Sequence, residues 1–239
     1  MPRPVIIVAH GQPSDPGPQQ QAIEALAAQV ADCADRQVIG ATLAAPDALA
    51  RAVQAAPGAL VYPMFMAEGW FTGTELPRRL AGAGGATATV LRPFGTDPAL
   101  PDLCAAKLAG EMARRGWQAR DTTLLLIAHG SQRARGSANG NEAMAEKLRP
   151  RIGKVVTAYI EEAPFLADAA RDLGPQAIAL PFFATRAEHV TDDIPTALTE
   201  AGFDGPCLPP IGLAPEVPAL IAAALLRGDV AIASAGRGA

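Results

Sequence analysis

Two stretches of this chain are copies of one pattern. VIIVAHGQPSDPG, Val5 to Gly17, and LLLIAHGSQRARG, Leu124 to Gly136, each run from an apolar segment into Ala-His-Gly and then into small and polar residues, with His10 lying 119 positions before His129. YPMFMAEGWFTGTELPRRL, Tyr62 to Leu80, aligns with LPFFATRAEHVTDDIPTAL, Leu180 to Leu198, at a shift of 118, which sets Pro63 on Pro181 and Pro77 on Pro195. LRPFGTDPALP, Leu91 to Pro101, aligns with LPPIGLAPEVP, Leu208 to Pro218, at a shift of 117, pairing Pro93 with Pro210, Gly95 with Gly212 and Pro98 with Pro215. Landmarks in one order at nearly one spacing mean a duplicated fold. The boundary falls near residues 116–122 and divides the chain into lobes 1–118 and 119–239.

Within each half, short apolar runs alternate with longer stretches of helical period. In the second half the runs are Thr123 to Ala128, Val155 to Ile160, Ala177 to Phe183 and Pro206 to Ile211. Helical stretches follow them at Ala138 to Leu148, Pro164 to Leu173, Val190 to Glu200 and Pro215 to Leu226. Four β-α units per half predict an α/β fold of two homologous lobes, each a four-stranded parallel sheet flanked by helices. Runs such as LLLIA are apolar throughout, as strands buried on both faces require. In such sheets the loops at the carboxyl ends of the strands converge where the strand order reverses, and ligands bind there. His129 ends the first strand of its half and His189 follows the third, so the two imidazoles are expected at one crevice.

Composition narrows the partner. A net charge of −4 and a pI near 5.4 give no footing for nucleic acid. Every apolar run is broken by Pro, Gly or charge well short of a membrane span, and the run after MPRP is too short for a signal peptide. A cytoplasmic protein acting on a small molecule is expected. Cys33, Cys104 and Cys207 lie far apart with no CxxC pair, which excludes a zinc ribbon or a disulfide framework by pattern.

The chain has only three histidines, and all of them sit at landmarks of the repeat. Several chemistries associated with His-Gly fail for want of partners. There is no G-x-S-x-G elbow, no G-x-G-x-x-G after a first strand, and no arginine ahead of either Ala-His-Gly histidine, where a histidine phosphatase needs one. The second half adds Glu161 and Glu162 directly after its second strand. Two neutral imidazoles and a carboxylate facing one crevice suit a divalent first-row metal such as cobalt, iron or nickel.

These features resemble a known family. HGS followed by arginines, a strand ending near Tyr-Ile-Glu, and PFFATRAEHVTDDIP are similar to the class II tetrapyrrole chelatases of the CbiX and SirB type, in their long, internally duplicated form. The resemblance spans both halves. It implies ATP-independent insertion of Co2+ or Fe2+ into sirohydrochlorin or a related tetrapyrrole, on the route to cobalamin or sirohaem. It implies no permanently bound cofactor, the metal being substrate, and no nucleic-acid or membrane partner. Fusion of the two lobes makes a monomer the expected state.

Carried over by position, the resemblance makes His129, His189 and Glu161 the metal and catalytic residues. Pro164 falls one residue earlier than the family places it, so Glu162 stays open beside Glu161. Ser131, Arg133, Arg135, Arg186 and His10 are the expected substrate contacts, since the macrocycle's acetates and propionates call for arginine forks and amides. A carrier that delivers metal or tetrapyrrole without inserting one is the alternative. In the first half, the same shift puts Phe71 at the place of His189 and Trp70 at that of Glu188, while Ala44 and Ala45 stand where the second half has its glutamates. Only His10 remains of the pattern there.

Overall fold

The computed structural model describes residues 2–131, 136–186 and 189–235, and the side chains at 136, 137, 189, 191 and 233–235 lie outside that description. Two compact units emerge, each with its own parallel sheet.

The first unit comprises Met1–Asp97 and Pro215–Ala239. Its sheet has the order β2-β1-β3-β4, formed by β1 (Val5–Ala9), β2 (Val38–Thr42), β3 (Leu60–Pro63) and β4 (Thr89–Val90). β1 is central, with Ala9 opposite Thr42 and Val8 opposite Pro63. All five of its residues are buried, as the unbroken apolar run predicts. Helices α1 (Pro16–Ala34), α2 (Ala48–Ala55) and α3 (Leu76–Gly82) follow β1, β2 and β3 in turn.

The second unit, Pro98–Ala214, repeats the order as β6-β5-β7, with β5 (Thr123–Ala128) central between β6 (Lys154–Tyr159) and β7 (Ala177–Pro181). Its helices are α4 (Leu100–Arg115), α5 (Gly136–Leu148), α6 (Leu166–Ala169) and α7 (Ile194–Glu200). The fourth strand expected at Pro206 to Ile211 is a single parallel bridge between Ala179 and Cys207 among the described residues. Ala179 donates to the Pro206 carbonyl at 2.9 Å and Leu208 donates back to Ala179 at 2.9 Å. Pro206, Pro209 and Pro210 carry no N–H, so the ladder cannot lengthen on either side.

The helix expected over Val190 to Glu200 also divides. A π turn, His189–Asp193, precedes α7, just as another, Phe71–Glu75, precedes α3. Pro77 and Pro195 sit in the first turns of α3 and α7, where each lacks the donor a tight turn would use and crowds the carbonyl four residues back. A turn wider by one residue, seen in the Leu76 amide bonding the Phe71 carbonyl, relieves that conflict. The repeated Gly95 and Gly212 have one shared cause. Their amides bond the Phe65 and Phe183 carbonyls at 2.9 Å each, and a Cβ would lie 1.9 Å from the Met66 carbonyl oxygen or 2.0 Å from that of Ala184.

The compact units differ from a division at 118/119. Helix α4, which ends the first half in sequence, belongs to the second unit, where Asp102 pairs with Arg151 at 2.6 Å. Helix α8 (Val217–Ala235), which ends the second half, belongs to the first. It buries Val217, Ile221 and Leu225, packs on α1, and is held by Arg227 to both Asp97 carboxylate oxygens at 2.7 and 2.9 Å and by Asp229 to Arg36 at 2.8 Å. No helix among the described residues is long and apolar enough to cross a membrane.

Candidate functional site

The carboxyl ends of β5, β6 and β7 position the expected metal residues of the second unit. β5 stops at Ala128, and His129 follows on a chain that Gly130 turns sharply at φ +76°. That backbone conformation favours glycine, and there is no room for more, since a Cβ would meet Glu162 Cγ at 2.9 Å and Tyr159 Cβ at 3.0 Å. The turn brings the Gly130 carbonyl 3.1 Å from His129 Nδ1. A carbonyl only accepts, so in the neutral ring this contact calls for the proton on Nδ1 and leaves the lone pair on Nε2.

The chain leaving β6 wraps the same loop. Glu161 N–H donates to the His129 carbonyl at 2.9 Å, and the Glu161 carboxylate lies 3.5 Å from His129 Nδ1. Both side chains are more than a third exposed, as groups that meet a substrate must be. Glu162 turns the other way and accepts the Ser131 N–H at 2.9 Å. The two glutamates therefore divide the work: Glu161 faces the imidazole, and Glu162 fastens the loop behind it. Tyr159 is no acid or base for this site at neutral pH, because burial and its bond to Glu142 push its phenol up to about 12.

The backbone of His189 opens the π turn after β7, with its imidazole outside the described residues. Arg186 is exposed just before it, and Arg133 and Arg135 lie outside the described residues. No group of three His, Cys, Asp or Glu side chains among the described residues gathers closely enough to hold an ion. His129 and Glu161 are the pair brought together there.

The first unit repeats the scaffold with other side chains. His10 follows β1, Gly11 adopts φ +77°, and its carbonyl lies 3.0 Å from His10 Nδ1. Ala44 N–H donates to the His10 carbonyl at 3.0 Å, which makes Ala44 the counterpart of Glu161 by hydrogen bonding. Phe71, at the place of His189, sets its ring edge-on to His10 with centroids 4.6 Å apart. Phe65 and Trp70 flank Phe71 at 6.1 and 5.0 Å. Sequence reasoning registered Trp70 and Phe71 only as lost partners. The aromatic spacing in YPMFMAEGWF was the available signal of a cluster, and no sequence pattern marked the Glu162 bond to the Ser131 amide.

Residues 4–111 and 123–227 each match the CbiX family. No curated protein matches the chain. Among solved structures, CbiX, the terminal enzyme for biosynthesis of siroheme in denitrifying bacteria, is 56% identical, with a TM-score of 0.88 over 94% of this chain and 99% of that one. DR2241 from Deinococcus radiodurans, a multi-domain protein with structural similarity to chelatases and two additional novel domains, is 21% identical, with a TM-score of 0.73 over 94% of this chain and 55% of that one. SirB from Bacillus subtilis with Fe3+ is 14% identical, with a TM-score of 0.70 over 95% of each chain. At such identities the last two likenesses speak for the fold.

Proposed function

Because the chain belongs to the CbiX family, we propose that its second unit is the catalytic one, with His129, His189 and Glu161 as the residues that receive the metal. The protein is a chelatase, an enzyme that inserts a divalent metal into a tetrapyrrole. Insertion exchanges one M2+ for two pyrrole N–H protons, so the site must hand over a cation and take up protons. Nε2 of His129 carries the lone pair for either task, and Glu161 beside Nδ1 stabilises the positive charge that the ring gains. His189 supplies the second imidazole. The His129–Glu161 contact is the observation that carries this reading.

The repeat supports the imidazole pair. In the first unit the residue matching His189 has its ring 4.6 Å from His10, so the shared scaffold suits two rings meeting at this place. The substrate of this reading is sirohydrochlorin, with Ser131, Arg133, Arg135, Arg186 and His10 receiving its carboxylates. Ferrous iron is favoured over cobalt by the relative's place in siroheme biosynthesis. The same reading has the enzyme working without ATP, as a cytoplasmic monomer.

The test is a spectrophotometric assay without oxygen, with metal-free sirohydrochlorin and Fe2+, Co2+ or Ni2+ in turn. Catalysed metallation above the spontaneous rate, fastest with Fe2+, is the expected result. Binding of metal and macrocycle without acceleration would identify a carrier instead.

A further inference from the structure

The first unit has lost its metal partners, but the vacated place carries an aromatic wall. Four of the chain's eleven Phe, Tyr and Trp residues fall between Tyr62 and Phe71. Tyr62 is buried, whereas Trp70 is 60% exposed at the carboxyl-end loop of β3. Phe71 packs edge-on between Trp70 and His10, and Phe65 stacks on Phe71 with only 19° between the ring planes.

The wall is braced from behind. Thr72 Oγ1 accepts the Gly69 N–H at 2.9 Å and donates to the Gly69 carbonyl at 3.1 Å, while Gly73 N–H bonds that same carbonyl at 2.8 Å. Gly95 fixes the Phe65 carbonyl. An exposed tryptophan on a rigid loop, continuous with three further rings, is an apolar surface that water covers poorly.

A cation stands at the same sheet end. The buried Glu75 carboxylate bonds Arg78 at 2.8 and 2.9 Å and Arg79 at 2.6 Å. Arg79 also reaches the Leu43 carbonyl at 2.7 Å, next to Ala44, whose amide bonds His10. Two guanidinium groups on one carboxylate leave a net positive charge at the start of α3, the helix that follows the ring-bearing loop.

We propose that Trp70, with Phe71, Phe65 and His10, is a stacking platform for the tetrapyrrole macrocycle, and that Arg79 attracts its peripheral carboxylates. The first unit thereby carries a tetrapyrrole-binding surface of its own, with an aromatic ring, Phe71, at the place of the second unit's proposed metal residue His189. This rests on the chelatase reading and adds residues to it. A flat conjugated macrocycle with acidic edges is the ligand that both the rings and the charge fit.

Metal-free sirohydrochlorin is titrated into the full chain, following its absorbance, for the wild type, Trp70→Ala, Trp70→Phe and Arg79→Gln. KM and kcat for metal insertion are then measured. Stacking acts alike on the ground and transition states, so Trp70→Ala is expected to raise Kd and KM about tenfold while kcat falls less than about twofold. Trp70→Phe should recover most of the affinity, and Arg79→Gln should flatten the dependence of Kd on salt. Wild-type affinity in Trp70→Ala, with wild-type insertion intact, would overturn the platform and leave the chelatase reading standing. A loss of kcat at unchanged Kd would overturn it too. Neither binding nor insertion by the wild type would overturn both.

Discussion

His129 is defined by what surrounds its two nitrogens. The Gly130 carbonyl and Glu161 both address Nδ1, so on the proposed reading removal of the ring deletes a ligand and base whose orientation the loop has already fixed. His129→Ala and His189→Ala should each lower kcat by about a hundredfold or more with an unchanged far-UV spectrum, general-base losses being of that order. His10→Ala should raise KM by about tenfold or less with a smaller effect on kcat, which a kinetic comparison of the three variants will read. Glu161→Gln is expected to impair insertion as the histidine variants do. Glu162→Gln keeps an acceptor for the Ser131 amide and should retain most activity. The histidines and the Glu161–Glu162 pair stood out in the sequence as candidates, because strand ends and rare residue types mark them. Which glutamate lies beside His129 did not, since neighbouring side chains on a turn diverge in directions that no spacing encodes.

Among the elements, one sharp constraint is the close approach of Gly212 to the backbone after β7. A Cβ there meets main-chain oxygen, which cannot swing aside, so Gly212→Ala should cost at least about 1–3 kcal/mol in urea unfolding. Where α3 begins, Glu75 gives a pH signature. Its hydrogen bonds to Arg78 and Arg79 hold the carboxyl down at about 2, against 4.5 ordinarily. A depressed pKa gives stability that is present above the unfolded value and lost as pH falls through the folded one. Glu75→Gln should therefore melt below the wild type at pH 7, and the gap should narrow as pH falls from 4.5 towards 2. Strand β5 coincides with its predicted run because an unbroken apolar segment admits one reading. The fourth strand of the second unit was overread because apolar content outweighed the prolines. Helix α6 is shorter than its pattern, with Asp172 and Gly174 both at positive φ where the helix was expected to continue or end.

For the whole molecule, the exchange of α4 and α8 decides what can stand alone. A cut at 118/119 follows the repeat but leaves each piece with a helix whose apolar face belongs to the other unit. Fragments 1–118 and 119–239 should each show broad, weakly cooperative unfolding when made separately. Mixing them should restore a sharp transition, as calorimetry can test. Periodicity tells that a helix follows a strand and which of its faces is apolar. It does not tell which sheet covers that face, and the two sheets are near copies, so the exchange was invisible in the sequence.

The same exchange sets an order of birth. A ribosome releases the chain from its amino end, and β1 to β4 leave it ahead of the second unit. They must nevertheless wait for α8, which is translated after the whole of the second unit, before Asp97 and Arg36 find Arg227 and Asp229. Residues 98–214 form one uninterrupted stretch and are all translated before α8. The unit begun second can thus finish folding first, and the unit begun first is closed by a helix translated after its neighbour is complete.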